Sequence, residues 1–249
     1  MGDRRDEVAR RLATVRDRID QAARSCGRQP DSVTLVVVTK TFPADDVRLL
    51  ADLGVREVGE NRHPEAEQKA LACADVPVRW HYIGQLQSNK ARAVARYADV
   101  VHSIDRPKLV GALERGRREA TTDGQPRPLD CLVQVSLDPP ERHEHRGGLA
   151  PSQVPELAEA IVGHDLLRLR GVMGVAPLGG DPQVAFERLS DVSARLRAVV
   201  PGADWISAGM SGDLEEAIAH GATHVRVGSA ILGTRPLSLI HISEPTRRH

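Results

Sequence analysis

The sequence predicts an α/β fold, and within that class a single-domain (β/α)8 TIM-type barrel with an extra N-terminal helix. Two observations support this prediction: strand-like apolar runs alternate with helical patterns, and there are eight such runs within 249 residues. Strand–helix–strand repetition implies parallel pairing with right-handed crossovers. Eight units at this length favour a closed barrel, and an open doubly wound sheet is the structural alternative.

The periodicity of apolar residues places each element in order. A charged amphipathic helix is predicted over residues 3–25, and Gly27 and Pro30 close it. Its apolar face consists of Val8, Leu12, Val15 and Ile19. Strands are predicted at 34–39, 55–58, 79–83, 99–103, 130–137, 168–174, 204–207 and 224–228. Helices are predicted between them at 43–53, 62–73, 88–96, 106–119, 151–163, 182–199 and 212–220.

The chain shows no internal boundary before its last residues. No Gly/Ser-rich linker or shift in composition divides it, so we predict one domain over residues 1–236. The segment 237–249, "LSLIHISEPTRRH", has neither a helical nor a strand period and looks non-native. We therefore expect a disordered tail there and exclude it from reasoning about the fold.

Charge and composition exclude several functional classes. The 34 basic and 34 acidic residues give zero formal net charge, which argues against a nucleic-acid partner. No apolar run is long enough to span a bilayer, and the N-terminus "MGDRRDEVARR" is too charged for a signal peptide. The three cysteines are far apart and lack metal-ligand spacing. We expect a cytoplasmic protein without membrane contact.

The lysines are notable because all other basic residues of the Lys/Arg class are arginines. Only four of the 34 basic residues are lysines: Lys40, Lys69, Lys90 and Lys108. Lys40 ends the first predicted strand in "TLVVVTK", and the chemistry of a barrel lies at the carboxyl ends of its strands. On its own, Lys40 would be interpreted as a strand-end lysine whose ammonium reaches water.

Two glycine- and serine-rich loops follow the last two strands. "ISAGMSGD" contains Gly209 and Ser211, and "VRVGSA" contains Gly228 and Ser229. Backbone amides, hydroxyls and the start of a helix together form an anion site, and barrels commonly bind phosphate after strands seven and eight. The alternative is that these glycines only permit tight turns.

A lysine amine that faces a phosphate site across the barrel suits a cofactor with both a phosphate and an aldehyde. Pyridoxal 5′-phosphate (PLP) has both groups. Burial of Lys40 at the strand end would lower its pKa and supply more neutral amine. The alternative ligand is some other phosphorylated metabolite.

Long, ordered motifs resemble a known family. They are "VVVTKTFP", "GVREVGEN", "WHYIGQLQSNK", "VHSID", "GVMGVAP" and "ISAGMSGDLEEAIAHGATHVRVGSAILGTR". These segments resemble the YggS/PROSC family of pyridoxal-phosphate-binding proteins, which act in PLP homeostasis. The resemblance runs from about residue 30 to Arg235. It implies a barrel similar to the N-terminal domain of alanine racemase.

The resemblance also implies roles for individual residues. Lys40 would carry PLP as a Schiff base, and Arg226 would lie beside the pyridine nitrogen. The phosphate would be held by Ser207, Gly228 and Ser229, with help from the loop of Gly209, Met210 and Ser211. Asn61 and His81 would line the pocket, and Met210 would pack near the cofactor. No catalytic residue and no metal are implied.

The resemblance favours a PLP carrier in vitamin B6 homeostasis over an enzyme with turnover. Racemase-like enzymes use a partner domain that closes the site, and we find no segment long enough to form one. The alternative is a PLP-dependent racemase or decarboxylase with His81 or His102 as its base. We expect a monomer, and PLP-dependent apoenzymes are candidate partners.

The loop after the fifth predicted strand departs from the family. "SLDPPERHEHRGGL" lacks the Glu and Lys pattern that many members carry there. Its His143, Glu144 and His145 could bind a metal, but we favour an exposed loop because nothing supports a ligand geometry.

Overall fold

The computed structural model of the chain describes residues 2–120, 127–138 and 147–234. The predicted tail at 237–249 and the histidine-rich segment with His143, Glu144 and His145 lie outside these residues.

Eight parallel strands close into a barrel, and the barrel prediction is confirmed. The strands are β1 (Thr34–Val38), β2 (Glu57–Glu60), β3 (Arg79–Tyr82), β4 (Val100–Ile104), β5 (Leu129–Gln134), β6 (Leu167–Met173), β7 (Trp205–Ser207) and β8 (His224–Val227). They pair in sequence order, and β8 returns to pair with β1. The open doubly wound alternative is therefore wrong. Each strand lies within three residues of its predicted bounds at either end.

Helices follow the strands on the outside of the barrel. They are α1 (Gly2–Ser25), α2 (Ala44–Asp52), α3 (His63–Ala72), α4 (Ala91–Tyr97), α5 (Pro107–Glu119), α6 (Val154–Val162), α7 (Pro182–Val199), α8 (Leu214–Ala219) and α9 (Ser229–Leu232). The periodicity predicted α1 to α8 but missed α9, because four residues are too few to show a helical period. Within the described part of the chain, no helix is both long and apolar enough to cross a bilayer.

The apolar core lies between the strands and the helices. The predicted face of α1, with Val8, Leu12, Val15 and Ile19, is buried against the barrel, where α1 packs on α8 and α9. Inside the barrel a small apolar cluster contains Val100, Leu132 and Met173. Polar side chains fill much of the remaining interior, namely His81, His102, His224 and Arg226. Barrel interiors are usually filled by branched apolar residues, so this interior is unusually polar.

Gly171 allows β6 and β7 to approach each other. Its φ is 150°, and a Cβ atom at this position would overlap the carbonyl oxygen of Trp205 on β7. Overlap with backbone cannot be relieved by a side-chain rotation. Only glycine therefore permits this register, in which Gly171 pairs with Trp205.

We predict that Gly171→Ala destabilises the protein by at least about 2 kcal/mol, because overpacking and backbone strain add at this position. Urea denaturation measures the effect. Gly202→Ala is the control: a Cβ there meets no atom within 4 Å, so we expect a change within about 0.5 kcal/mol. Equal stability of the two variants would contradict the packing argument.

Candidate functional site

The pairing of β1 with β8 brings the predicted lysine next to a predicted phosphate loop. Val36 pairs with Arg226 and Val37 with Val227, so both strands end at the same edge of the barrel. A Cβ atom on Gly228 would lie 3.0 Å from the carbonyl oxygen of Val38. The prediction that Lys40 faces this loop across the barrel is therefore wrong. The two are neighbours.

Lys40 lies in a tight turn directly after β1, and its side chain is exposed. The prediction that it is buried is wrong because β1 ends at Val38, two residues earlier. Among the residues that the structure describes, none forms a hydrogen bond or ion pair with the Lys40 ammonium. The next residue, Thr41, has a φ of 69°, a strained conformation for a β-branched residue. Such strain is typical of functional sites.

The residue before Lys40 is held by four hydrogen bonds. The Thr39 amide donates to Gly59 O at 2.9 Å, and its hydroxyl donates to Glu60 Oε1 at 2.6 Å. The Thr39 carbonyl accepts from Phe42 N at 3.1 Å and from Lys69 Nζ at 2.9 Å. Thr39 is fully buried. The backbone that leads into Lys40 is therefore fixed, although the lysine side chain is exposed.

Lys69 supports the Lys40 turn, and we did not predict this contact. It projects from α3 and forms a buried ion pair with Glu60, the last residue of β2. The two side chains are 8% and 2% exposed. The scarcity of lysine in the sequence was the signal that could have identified it. No periodicity argument showed that its ammonium would reach the Thr39 carbonyl.

The loop between β7 and α8 is held in one conformation. Gly209 has a φ of 91°, and a Cβ atom there would lie 2.7 Å from Ala217 Cβ. Its carbonyl accepts from Arg226 N at 2.9 Å, and Met210 N donates to Asp213 Oδ1 at 2.6 Å. Met210 is exposed and Ser211 is half-buried. The loop therefore presents an exposed methionine and a half-buried serine at the barrel mouth.

The N-terminal helix supports this loop from outside. Arg18 on α1 donates to Ser211 O at 3.1 Å and forms a bidentate pair with Glu215 at 2.7 and 2.8 Å. Its hydrogen bond to Glu215 raises the pKa of Arg18 and lowers that of Glu215. The extra helix is thus connected directly to a predicted phosphate loop.

The second predicted loop begins α9. Gly228 precedes the helical turn, and the exposed Ser229 is its first residue. The first N–H groups of a helical turn have no carbonyl of a preceding turn to bond. The helical turn thus begins beside the end of β1, where Gly228 lies against Val38.

Arg226 is buried inside the mouth. Its Nη1 donates to Ser207 Oγ at 2.5 Å, and its Nη2 donates to Gly174 O at 3.0 Å. Burial lowers the pKa of Arg226 to about 10, and Asp213 acts in the opposite direction. The guanidinium is still charged at neutral pH. Ser207, which we predicted as a phosphate contact, is fully buried and bonded to Arg226.

His81 lies inside the barrel rather than at its surface. It is 1% exposed, and its Nδ1 lies 2.8 Å from His102 Nε2. His102 Nδ1 in turn lies 2.9 Å from Ser207 Oγ. Burial, followed by the nearby His81, lowers the pKa of His102 well below its usual value. The two candidate bases therefore form part of the interior network.

Asn61 follows β2 and is half-buried beside the Lys40 edge. Its carbonyl accepts a long hydrogen bond of 3.5 Å from Tyr82 OH. A Cβ atom on Gly84 would overlap the Asn61 backbone, so the loops after β2 and β3 are in close contact. This contact fixes the position of Asn61 at the mouth.

Two cavities open near these loops. One of about 620 Å³ lies beside the Lys40 turn and is lined in part by Phe42, Asp46 and Leu232. The other, of about 300 Å³, has Met210 and Val175 among its walls. The carboxyl end of the barrel therefore carries concave surface on both sides of the predicted site.

Known proteins resemble this chain along most of its length. Residues 11–236 match the family described as alanine racemase, N-terminal domain. A relative from Corynebacterium glutamicum, named pyridoxal phosphate homeostasis protein, is 44% identical over 227 residues, which cover 89% of this chain and 99% of the relative.

Solved structures also resemble this chain along most of its length. PipY of Synechococcus elongatus with PLP bound is 33% identical, with a TM-score of 0.74, over 91% of this chain and 100% of PipY. The alanine racemase of Corynebacterium glutamicum is 16% identical, with a TM-score of 0.63, over 97% of this chain and 64% of the racemase. The latter likeness concerns the fold alone.

We predict that Lys69→Met destabilises the protein by about 3–5 kcal/mol, because it leaves the Glu60 carboxylate buried without its counter-charge. Chemical denaturation measures this change, and adding Glu60→Gln should restore part of the loss. Lys108→Met on an exposed residue of α5 is the control and should change stability by less than about 0.5 kcal/mol. A Lys69→Met variant as stable as this control would refute the role of the pair.

Stability should fall in acid because buried histidines resist protonation. Burial, followed by His81, lowers the pKa of His224 to about 3, whereas an unfolded histidine titrates near ~6.5. The unfolded state therefore binds more protons below about pH 6.5, and stability is lost from there toward about pH 3. His224→Asn should reduce the slope of the unfolding free energy against pH by about 1.4 kcal/mol per pH unit. Urea denaturation across this range tests it, with His220→Asn as the half-exposed control.

Proposed function

Since this chain belongs to the alanine racemase N-terminal domain family, and within it to the pyridoxal phosphate homeostasis proteins, we propose that it binds PLP and acts in PLP homeostasis. The observation that carries the proposal is the closure of the barrel. Through this closure Gly228 lies against Val38, two residues before Lys40, which supports a shared site for the amine and the glycine loop.

Lys40 is the residue that would hold the aldehyde of PLP as a Schiff base. Its amine is exposed and without a partner among the described residues, so it is free to react. The hydrogen bonds of Thr39 fix the backbone that leads to it. The chain therefore offers a reactive group on a rigid support, which favours repeated binding in one geometry.

The phosphate would lie between the loop of Gly209, Met210 and Ser211 and the turn of Gly228 and Ser229. Gly209 and Gly228 carry no side chain, and the backbone amides of glycine-rich turns commonly bind anions. The hydroxyls of Ser211 and Ser229 are not buried and can donate to phosphate oxygens. This donor set fits a phosphate group.

Arg226 would face the pyridine nitrogen. PLP supplies an electron-accepting ring when bound, and a permanent cation beside the ring nitrogen disfavours its protonation. Ser207 would then support Arg226 from inside the barrel, instead of binding phosphate directly. Asn61 would line the mouth, and Met210 would pack near the ring. His81 would contact His102 inside the barrel rather than the cofactor itself.

We infer a carrier without turnover rather than a racemase or decarboxylase. This chain matches the relative named pyridoxal phosphate homeostasis protein over 99% of that protein. In the carrier, PLP would pass from a cytoplasmic monomer to PLP-dependent apoenzymes. An exposed Lys40 supports such exchange because other amines can reach it.

We predict that PLP-loaded protein shows the absorbance of a lysine-bound cofactor and that Lys40→Ala abolishes it. Borohydride treatment followed by peptide mass mapping should place a pyridoxyl adduct on Lys40. Lys108→Ala, at an exposed lysine of α5, should behave as the wild type does. An adduct on another lysine, or none at all, would overturn the assignment and favour another phosphorylated ligand.

Assays of racemisation and decarboxylation across the amino acids separate carrier from enzyme. We expect no turnover above that of free PLP. Robust turnover by the wild type that disappears in Lys40→Ala would reverse this conclusion, and His102→Asn would then test the candidate base.

A further inference from the structure

A continuous chain of side-chain hydrogen bonds crosses the barrel interior. Glu57 Oε2 lies 2.5 Å from His81 Nε2, and His81 Nδ1 lies 2.8 Å from His102 Nε2. His102 Nδ1 lies 2.9 Å from Ser207 Oγ, which accepts from Arg226 Nη1 at 2.5 Å. We call these five residues the relay. Glu57 begins β2 and Ser207 ends β7, so the relay runs from the amino end of the barrel to its mouth.

The two ends of the relay fix its direction. Arg226 can only donate, and an ionised Glu57 carboxylate can only accept. Ser207 accepts from Arg226, so its own hydrogen can go to His102 Nδ1. His102 then donates from Nε2 to His81 Nδ1. His81 completes the chain by donating from Nε2 to Glu57.

The reverse direction lacks a hydrogen at one contact. If His102 donated from Nδ1 to Ser207, its bare Nε2 would accept from His81 Nδ1. His81 Nε2 would then face the Glu57 carboxylate, with two acceptors 2.5 Å apart, unless the pair took up another proton. Neutral histidines therefore permit one orientation alone.

The surroundings of His102 favour its neutral form. Burial is the main reason that the pKa of His102 is low, and nearby cationic groups add to it. The charged and titratable groups that face the two histidines and their neighbour His224 are Glu57, Arg79, Arg170 and Arg226. Arg79 is itself paired with Asp130 at 2.9 Å. An additional proton on His102 would thus meet several positive charges.

The relay connects the Arg226 guanidinium to a carboxylate, and packing alone would not require such a connection. A barrel interior can be filled by apolar side chains at less desolvation cost, and each buried polar group here needs its partner. Arg226 is bonded at Ser207 and Gly174, and Ser207 is in turn bonded to the relay. The orientation of the guanidinium therefore depends on a carboxylate at the other end of the barrel.

We propose that Glu57, His81 and His102 are positioning residues of the cofactor site, which hold the Ser207 hydroxyl in one direction and thereby fix the Arg226 guanidinium. This inference rests on the proposed function, because it takes Arg226 as the contact of the pyridine nitrogen. Of the relay residues, Glu57, His81 and His102 touch neither PLP nor its reacting atoms. They act through Arg226.

Glu57→Gln tests the relay in the full-length protein. Glutamine can donate as well as accept, so it no longer fixes the direction of the chain. In wild type, ¹⁵N NMR of the histidine rings should show His81 and His102 both protonated at Nε2. In Glu57→Gln we expect mixed tautomers, a shifted absorbance of bound PLP, and PLP binding weaker by about threefold to tenfold.

Glu114→Gln is the matched control. Glu114 also pairs with a histidine, His164, at 2.6 Å, and its side chain is 18% exposed, as is that of Glu57. This pair lies outside the barrel, so the tautomers of His81 and His102 and the PLP spectrum should stay as in wild type. His102→Asn, which cuts the relay beside Ser207, should shift the spectrum as Glu57→Gln does. It decides the question if Glu57→Gln fails to fold.

Two results would overturn the proposal in different ways. A wild type that binds PLP, with Glu57→Gln and His102→Asn folded and matching its affinity and spectrum, would refute the relay alone. A wild type that does not bind PLP would refute the proposed function and the role of Arg226 with it. The tautomers would then still report whether the hydrogen bonds run in the stated direction.

Discussion

The candidate site depends on one backbone constraint, the pairing of β8 with β1 that closes the barrel. Through this pairing Val36 lies beside Arg226, and the turn with Lys40 lies beside Gly228. Lys40 and the proposed phosphate loop at Gly228 are far apart in the sequence. Their proximity is set by the strand register, and a shift of one residue would move Lys40 away from that loop. Contacts from β2 and α3 hold Thr39 in the same turn, where Thr41 is strained.

Polar groups in the barrel interior have a different role from the apolar layer outside it. Between strands and helices the core is apolar and supplies the stability of the fold. Inside, His81, His102 and Arg226 are buried at a desolvation cost that only complete hydrogen bonding offsets. A stabilising role alone would be served better by valine or leucine. Their presence is therefore better explained by their contacts with Ser207 and Arg226 at the mouth than by stability.

Particular elements show what the sequence could predict. The strands were found because runs such as "TLVVV" are buried on both faces and alternate with helical periods. The α9 turn was missed because four residues carry no period, and the burial of Lys40 was wrong because a strand can end before its apolar pattern suggests. Lys69 could not be placed at all, since its partner Glu60 lies on another element. The site residues themselves stay predictions.

By itself, the sequence determined the barrel, the edge at which the polar residues gather, and the lysine and glycine loops that suit PLP. Those features are encoded locally, in apolar periods and in the residue types that follow each strand. Only the tertiary structure decided that Gly228 lies against the strand that leads to Lys40, and that Lys69 holds Thr39. It also decided that Glu57 connects to Arg226 through two histidines and Ser207. These contacts join residues that are distant in sequence. They are fixed by strand register and side-chain direction, and a local sequence pattern encodes neither.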